Sequence, residues 1–289
     1  MAKPVLSLIG AGRLGSSLAA ALAGKGYPVY GVCDRDLNTA QETAHALSAQ
    51  VALDDPSAVC PGADIILLSV PDAQIKPVSE QLAAKGTLKK GQIICHTSGF
   101  LPSSVLVAVK FSGVYTVSMH PMMSFTRRLS DAGVFRGVTF ALEGDAIALE
   151  TARELATALD AFAVVIKPQD KPLYHAAAVM SSNYLITLLA QSVALLHKAG
   201  IGPAEARQML LPMATSIIEG LKNEELAEAL TGPIERGDAI TVEGHIRALK
   251  NAQTSQLEVY KALGRATLEM VRGKLPTDQI QALEWTLDK

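Results

Sequence analysis

The residues of this sequence that could do chemistry begin with a glycine-rich turn near the start of the chain. It matches the pattern G-x-G-x-x-G, whose candidate cofactor-binding residues are Gly10, Gly12, Arg13, Leu14 and Gly15. The apolar run before it predicts a buried strand, and the Ala- and Leu-rich run after it predicts a helix. In that setting the glycines allow a tight turn, a close approach of a pyrophosphate and close helix packing. The pattern predicts a dinucleotide site, although a structural glycine turn without a ligand is the alternative.

The residues at the end of the second predicted strand give opposite indications about the cofactor, so the choice between NAD and NADP stays open. Asp34 stands where a carboxylate accepts hydrogen bonds from a ribose 2′-OH, which favours NAD. Arg35 follows it, where a guanidinium could hold the 2′-phosphate of NADP, while Asp36 adds negative charge and tilts the balance slightly to NAD. Val70 and Pro71 close the fourth predicted strand and are expected beside the nicotinamide.

Histidines follow predicted strands at the same edge of the sheet. His96 and His120 end two further strands, and His175 begins a long apolar helix. Hydride transfer needs an acid or base at the substrate heteroatom, and imidazole suits this because its pKa lies near neutrality. We expect His120 or His175 to handle the proton and Ser98 and Asn183 to orient the substrate. Structural hydrogen bonding is the alternative for each of them.

The composition favours a globular protein of the cytoplasm. Apolar residues make up 49% and charged residues 19% of the 289, and the net charge is −2. This gives no electrostatic reason to expect nucleic acid or an anionic membrane as a partner. No stretch is read as an uninterrupted span of about 20 apolar residues, and no signal peptide is predicted. The spacing of His, Cys, Asp and Glu predicts no metal site, and the three cysteines are expected to be buried small hydrophobes.

The order of elements predicts an α/β chain with two domains. Strands alternate with helices up to residue 167, which predicts a doubly wound Rossmann-type parallel sheet in a dinucleotide-binding domain at 1–167. Only helices are predicted in 168–289, an all-α domain for substrate binding and dimerisation, with single helices over 172–199 and 242–263. The helix over 172–199 is apolar almost all round, so it is expected to be buried in a domain centre or in a homodimer interface.

Motifs along the whole chain resemble those of Rossmann-like proteins with a C-terminal DUF2520 domain. They are Ser69-Val70-Pro71-Asp72, His96-Thr97-Ser98-Gly99, Met119-His120-Pro121-Met122, Tyr174-His175-Ala176-Ala177-Ala178, Ser182-Asn183-Tyr184 and the segment 231–238. Wider relatives are the β-hydroxyacid dehydrogenases, the ketopantoate and pyrroline-5-carboxylate reductases and the prephenate dehydrogenases. The resemblance implies NAD(P) in the first domain and a helical, often dimeric, domain similar to the C-terminal domain of 6-phosphogluconate dehydrogenase.

The resemblance also implies roles for particular residues. His120 and Ser98 resemble the His of the His-Pro motif of prephenate dehydrogenases and the Ser that supports it. Asn183 resembles an Asn of the β-hydroxyacid dehydrogenases, whose catalytic Lys stands four residues earlier. Val179 occupies that position here, so another residue must move the proton.

Together these features predict an NAD(P)-dependent dehydrogenase or reductase of a small oxo, hydroxy or imine acid, with ketopantoate favoured by analogy of fold. One alternative is a non-catalytic dinucleotide-binding sensor or assembly protein. The absence of a lysine at position 179 favours it, because such a protein needs no proton donor. A prephenate- or arogenate-type dehydrogenase is another, and it would need arginines for two carboxylates. Arg236 could clamp a substrate carboxylate or pair with Asp238.

Overall fold

The computed structural model describes residues 2–130 and 132–289 of the chain. Contacts divide it into two compact units, Met1–Ser182 and Asn183–Lys289. The strands of the first unit are β1 (Leu6–Ile9), β2 (Val29–Cys33), β3 (Val51–Leu53), β4 (Ile65–Leu68), β5 (Ile93–His96), β6 (Tyr115–Pro121), β7 (Thr139–Gly144) and β8 (Phe162–Val165). Its helices are α1 (Arg13–Gly24), α2 (Leu37–Leu47), α3 (Asp72–Lys85), α4 (Ala146–Ala158) and α5 (Lys171–Ser181).

The eight strands form one sheet in the order β3-β2-β1-β4-β5-β6-β7-β8. Strands β1 to β6 are parallel, because a helix or a helical turn connects each to the next and returns the chain to the same end of the sheet. The chain crosses from β3 to β4 on the far side of β1, which produces the reversal of order expected of a doubly wound fold. The predicted α/β class with a Rossmann-type sheet is confirmed.

Strand β7 runs antiparallel to β6, which the sequence did not predict. The connection between them contains a short 3-10 turn at Ala132–Phe135 and no α-helix among its described residues. Without a crossover helix the chain turns back along its neighbour, and β8 is parallel to β7 again because α4 connects them. The sheet is therefore mostly parallel, and β7 and β8 extend it at one side.

Helices cover both faces of the sheet and bury its apolar runs. Leu6 and Leu8 of β1 pack with α1, α2 and α4 on one face. Ile66 and Leu68 of β4 pack on the other face with α3 and the 3-10 stretch Ser103–Ser112. Burial on both faces explains why these strands are continuously apolar rather than alternating. The cysteines lie in the same layers, and burial raises the pKa of each thiol to about 12, so they are inert hydrophobic residues as expected.

The second unit is helical. Its helices are α6 (Asn183–Lys198), α7 (Pro203–Gly220), α8 (Ala239–Asn251), α9 (Gln256–Val271) and α10 (Thr277–Asp288). Val242 and Ile246 of α8 pack with α9 and α10 in its core. The predicted single helix over 242–263 is wrong, because the chain turns between α8 and α9, where Gln253 has a positive φ of 48°.

The predicted single helix over 172–199 is also wrong. It breaks at Ser182, and α5 belongs to the first compact unit because its side chains bind the ends of β5 and β6. The predicted domain boundary at residue 167 follows the change in element type, whereas the compact units divide between Ser182 and Asn183.

The apolar side chains of α6 are not buried within a single chain. None of its residues is buried, although the sequence favoured a buried helix. The stretch Pro168–Lys198 is long and apolar enough to cross a membrane by length and composition, so the expectation that every apolar stretch is too short is not met. These criteria alone are weak support for a membrane span, because helices of soluble proteins also meet them.

Candidate active site

The glycine turn between β1 and α1 needs two of its glycines for structural reasons. Gly10 has a φ of 94°, which L residues with side chains rarely adopt. At Gly15 a Cβ atom would lie 2.3 Å from the carbonyl oxygen of Gly10 and 2.7 Å from Cβ of Ser69. Gly15 therefore lets α1 pack directly on the ends of β1 and β4.

Gly12 is different, because neither its conformation nor its neighbours require a glycine. Its φ of −65° and ψ of −171° suit any residue, and a Cβ there would meet nothing within 4 Å. Gly12 is the N-cap of α1, and no side chain of the described residues caps the helix start. The open space and the uncapped N–H groups are what a bound pyrophosphate needs. The turn therefore fits a dinucleotide cofactor.

Two charged side chains fix the shape of this turn. The backbone N–H of Ala11 donates to Oδ2 of Asp34 over 2.8 Å. Arg128, in the connection after β6, donates from Nε to the carbonyl oxygen of Ala11 over 3.0 Å and from its terminal nitrogen to Oγ1 of Thr43 over 2.6 Å. Both backbone polar groups of Ala11 are thus held by side chains from other parts of the same domain. The sequence analysis missed Arg128, because it follows no recognised motif.

A pocket of about 320 Å³ opens beside the turn. Six of the residues predicted to bind the cofactor line it: Gly10, Gly12, Asp34, Arg35, Val70 and Pro71. Arg13 and Leu14 lie in the first turn of α1 and do not line it. The turn after β5 is hydrogen-bonded to the wall of this pocket, since Oγ1 of Thr97 donates to Oγ of the lining residue Ser69 over 3.0 Å. This pocket and the turn that carries Ser98 therefore lie at the same edge of the sheet.

Two of the predicted histidines come together at that edge. The rings of His120 and His175 lie with their centroids 5.8 Å apart and nearly perpendicular. A Cβ atom on Gly99 would lie 2.8 Å from Nε2 of His120 and 2.7 Å from Nδ1 of His175, so Gly99 makes room for both rings. The buried Nδ1 of His175 has no hydrogen-bond partner among the described residues.

A tyrosine that the sequence analysis did not select completes this group. The hydroxyl of Tyr174 lies 2.9 Å from Nδ1 of His120. Burial raises the pKa of Tyr174 to about 12, so its hydroxyl keeps its proton at neutral pH. When that hydroxyl donates to Nδ1, the proton of a neutral His120 lies on Nε2, the atom that faces Gly99.

The surroundings keep His120 uncharged. Burial, then the neighbouring His175 and Lys171, lower the pKa of His120 to about 4. Burial and Lys171 lower the pKa of His96 to about 3. Neutral pH therefore finds both imidazoles neutral. His120 can donate or accept a hydrogen bond, or take up a proton, but it does not stand ready as an imidazolium acid.

The remaining predicted residues have other positions. Oγ of Ser98 accepts hydrogen bonds from the backbone N–H groups of Phe100 and Leu101, so this side chain shapes the turn that carries Gly99. His96 is fully buried, and its Nδ1 accepts from the N–H of Ser98. Asn183 is the first residue of α6, in the second compact unit.

Lys171 is a third residue, after Arg128 and Tyr174, that was not predicted from the sequence. Its Nζ donates to Oγ of Ser118 over 2.7 Å and to the carbonyl oxygen of Ser98 over 3.1 Å. A lysine was sought four residues before Asn183, and that spacing occurs instead between Lys171 and His175. A search for any lysine four residues before a polar residue on the first helix after the sheet would have found it.

The two glycines provide a matched pair of substitutions. We expect Gly15→Ala to destabilise the protein by about 3 kcal/mol, because its Cβ would meet backbone and side-chain atoms. We expect Gly12→Ala to change the free energy of unfolding by less than about 1 kcal/mol but to weaken NADPH binding about tenfold or more. Urea unfolding and a fluorescence titration measure the two effects. If Gly12→Ala binds NADPH like wild type, the turn does not hold the pyrophosphate.

Acid should destabilise the protein through His96. Its pKa is about 3 when folded, compared with about 6.5 in an unfolded chain, so the unfolded state binds the proton more readily. The free energy of unfolding should therefore fall by about 1.4 kcal/mol per pH unit for this group as the pH drops below about 6.5. His96→Asn should flatten the slope of stability against pH by that amount. The exposed His45→Asn is the control, and equal slopes in wild type and His96→Asn would refute this explanation.

Comparisons with known proteins agree with this fold. Residues 2–121 match the Rossmann-like domain, and residues 138–267 match the domain of unknown function DUF2520. No curated protein matches the chain.

Solved structures share the architecture at low sequence identity. A proposed NADP oxidoreductase from Bacteroides fragilis is 24% identical, with a TM-score of 0.75 over 92% of this chain and 98% of that one. Protein TM1727 of Thermotoga maritima is 24% identical, with a TM-score of 0.74 over 93% and 99%. An imine reductase from Pseudomonas sp. is 18% identical, with a TM-score of 0.63 over 99% of both chains. These likenesses show the fold, and the resemblance drawn from the motifs is confirmed, because the chain matches the models of the Rossmann-like domain and of the DUF2520 domain.

Proposed function

We propose that the protein is an NADP(H)-dependent reductase that reduces a C=N or C=O bond of a small substrate. The observation that carries the proposal is the open space at Gly12. A Cβ atom there would meet no atom of the described residues within 4 Å, so the fold does not require a glycine at this position. This space opens at the uncapped start of α1, where phosphates bind favourably. Ser69 in the wall of the pocket beside it is hydrogen-bonded to Thr97, two residues before Gly99, which packs against the His120 and His175 rings. The names of the similar solved structures, which include imine reductases and NADP oxidoreductases, agree with this function.

A bound nicotinamide would supply the hydride, and the chain would position the substrate and provide the proton. His120 presents Nε2 beside Gly99, where it can donate a hydrogen bond to the substrate nitrogen or oxygen. As that atom gains negative charge, His120 can release its Nε2 proton while its Nδ1 receives the proton of Tyr174, and the tyrosinate then regains a proton from solvent. This relay uses a neutral imidazole, which fits the pKa of about 4 for His120.

His175 has a different role beside Gly99, as a hydrogen-bond acceptor. Its unpartnered Nδ1 lies beside Gly99, so it can accept a hydrogen bond from an N–H or O–H group of the substrate. This assigns His120 as the residue that moves the proton and His175 as the residue that orients the substrate.

The contacts of Asp34 and the exposure of Arg35 favour NADP(H) over NAD(H). Both carboxylate oxygens of Asp34 accept backbone hydrogen bonds, from the N–H groups of Ala11 and Asp36. Asp36 in turn caps α2 through Asn38 and Thr39. Arg35 is exposed and lines the pocket, so its guanidinium is available to a 2′-phosphate.

The substrate is proposed at the level of its functional group. Imine reductases and pyrroline-5-carboxylate reductases are among the structures with this fold, which places cyclic imines first among compounds to test. Ketopantoate, favoured from the sequence by analogy, and other 2-oxo acids are the second group. The role of Arg236 toward a substrate carboxylate stays a prediction from the sequence.

Cofactor binding and turnover test this proposal together. We expect NADPH to bind more tightly than NADH, and Arg35→Gln to weaken NADPH binding about 10- to 100-fold while changing NADH binding little, because a charge-assisted hydrogen bond is lost. Fluorescence titration measures both affinities. Equal loss for the two cofactors would contradict the role of Arg35.

Turnover should depend on His120 and not on the exposed His45 of α2. We expect His120→Ala to lower kcat by about 10²–10⁴-fold on an accepted imine or oxo acid, with little change in NADPH affinity. The exposed His45→Ala is the matched control. Tight NADPH binding without turnover of any imine or oxo acid would instead favour the non-catalytic dinucleotide sensor.

We also propose that the protein is a homodimer that joins through α6 and α7. Apolar side chains on both helices are exposed in the single chain: Tyr184, Leu185, Ile186, Leu188, Met209, Leu211, Met213, Ile217 and Ile218. Exposed apolar patches of this kind mark interaction surfaces in soluble proteins. A second copy of the chain would bury them by symmetry.

Light scattering after size-exclusion chromatography tests the dimer. We expect twice the chain mass of 30.4 kDa for wild type, and a monomer for Ile186→Lys, because a charge would be buried in the interface. Ile240→Lys, on the 85% exposed side chain of α8, is the control and should remain a dimer. A wild-type monomer, including one that binds lipid vesicles through this face, would contradict the proposal.

A further inference from the structure

Lys171 is an unusual side chain for the interior of this domain. It is the first residue of α5 and has 0% exposure. Lysines are almost never fully buried unless they are paired with an opposite charge. Its ammonium donates hydrogen bonds to uncharged oxygens of Ser98 and Ser118, and no carboxylate of the described residues forms an ion pair with it. A hydrophobic residue would be less costly to bury here, which suggests that the charge has a use.

The ammonium connects the three elements that build the histidine site. Its acceptor in Ser98 lies in the turn after β5, next to Gly99. Its acceptor Ser118 lies in β6, two residues before His120, and also donates to the carbonyl oxygen of Ser98. Tyr174 and His175 follow Lys171 on α5 itself. One side chain therefore fixes the separation of the parts that present both rings.

The charge also acts on the histidines. After burial and His175, Lys171 is among the groups that lower the pKa of His120, and after burial it is the next cause for His96. Burial lowers the pKa of Lys171 itself to about 8, while Glu143 of β7 and Asp72 of α3 oppose that shift. The ammonium is therefore mostly charged at neutral pH. The oxygens of Glu143 are bound to Ser103, so this carboxylate acts from a distance.

We propose that Lys171 is a positioning residue whose buried ammonium holds the turn at Ser98–Gly99 against β6 and α5 and keeps the imidazole of His120 neutral for its task. The proposal rests on the proposed function, in which neutral His120 donates its Nε2 proton to the substrate heteroatom and receives a proton from Tyr174 at Nδ1. Lys171 acts through His120, because its own nitrogen is enclosed and has no exposed surface to meet a substrate.

Titration of His120 tests the electrostatic part directly. In protein labelled with ¹³C and ¹⁵N at histidine, with His120→Gln used to assign the signal, we expect a wild-type midpoint well below 6. Lys171→Met should raise that midpoint by about one pH unit, because a nearby positive charge is removed. Lys171→Arg should keep it low. The exposed Lys167→Met, in the segment before α5, is the matched control and should change nothing.

The positioning part has a separate readout. Ser118→Ala retains the charge of Lys171 but removes one of its two acceptors, so the His120 midpoint should stay low while kcat falls about tenfold. NADPH affinity should stay within about threefold of wild type, since neither residue lines the cofactor pocket.

Two results would overturn the proposal. One is a folded Lys171→Met protein with an unchanged His120 midpoint. The other, which needs no variant of Lys171 to fold, is a wild-type His120 midpoint near 6.5. The titration is made without cofactor or substrate, so its outcome is independent of whether the enzyme turns over any compound. A wild-type protein that neither binds NADPH nor reduces any substrate would refute the proposed function and leave the titration result intact.

Discussion

The close packing of α1 against the ends of β1 and β4 is the constraint on which the rest of the site depends. It requires Gly15, because a Cβ there would lie 2.3 Å from a backbone oxygen. This packing brings the start of α1, with its uncapped N–H groups, to the edge of the sheet. The parallel strands β4, β5 and β6 end at the same edge, so the turns that follow them lie at the edge of the sheet that also carries the glycine turn.

Hydrogen bonds then turn this edge into a connected surface. Asp34 and Arg128 hold the glycine turn from its two sides. Ser69 and Thr97 connect the cofactor pocket to the turn after β5. Lys171 connects that turn to β6 and to α5. Loss of any of these hydrogen bonds would shift the imidazoles relative to a bound nicotinamide. This explains why so many polar side chains lie in this one region.

The sequence predicted the features that depend on local pattern. The glycine turn, the eight strands and the positions of His96 and His120 at strand ends follow from apolar runs and motif spacing. The antiparallel β7 did not follow, because a strand's direction depends on whether its connection contains a helix. The break at Ser182 was hidden because α5 and α6 are equally apolar on either side of it.

The site itself was predicted only in part, for a physical reason. His120, His175 and Gly99 occur in recognisable motifs, but Lys171 and Arg128 act through contacts with residues far away in the sequence. The assignment of His120 as an acid rested on the ordinary pKa of histidine, and burial beside Lys171 and His175 changes that value to about 4. Environments of this kind arise only when the chain is folded, so residue type alone cannot reveal them.

The central claim is that the cofactor pocket and the His120 site form one active site. The most direct measurement is a crystal structure with NADP⁺ bound. The pyrophosphate should lie over Gly12 at the start of α1, the 2′-phosphate should contact Arg35, and the nicotinamide should reach the turn at Ser98–Gly99 beside Nε2 of His120. A cofactor bound with its nicotinamide directed away from His120, or an empty glycine turn in crystals saturated with NADP⁺, would contradict the claim.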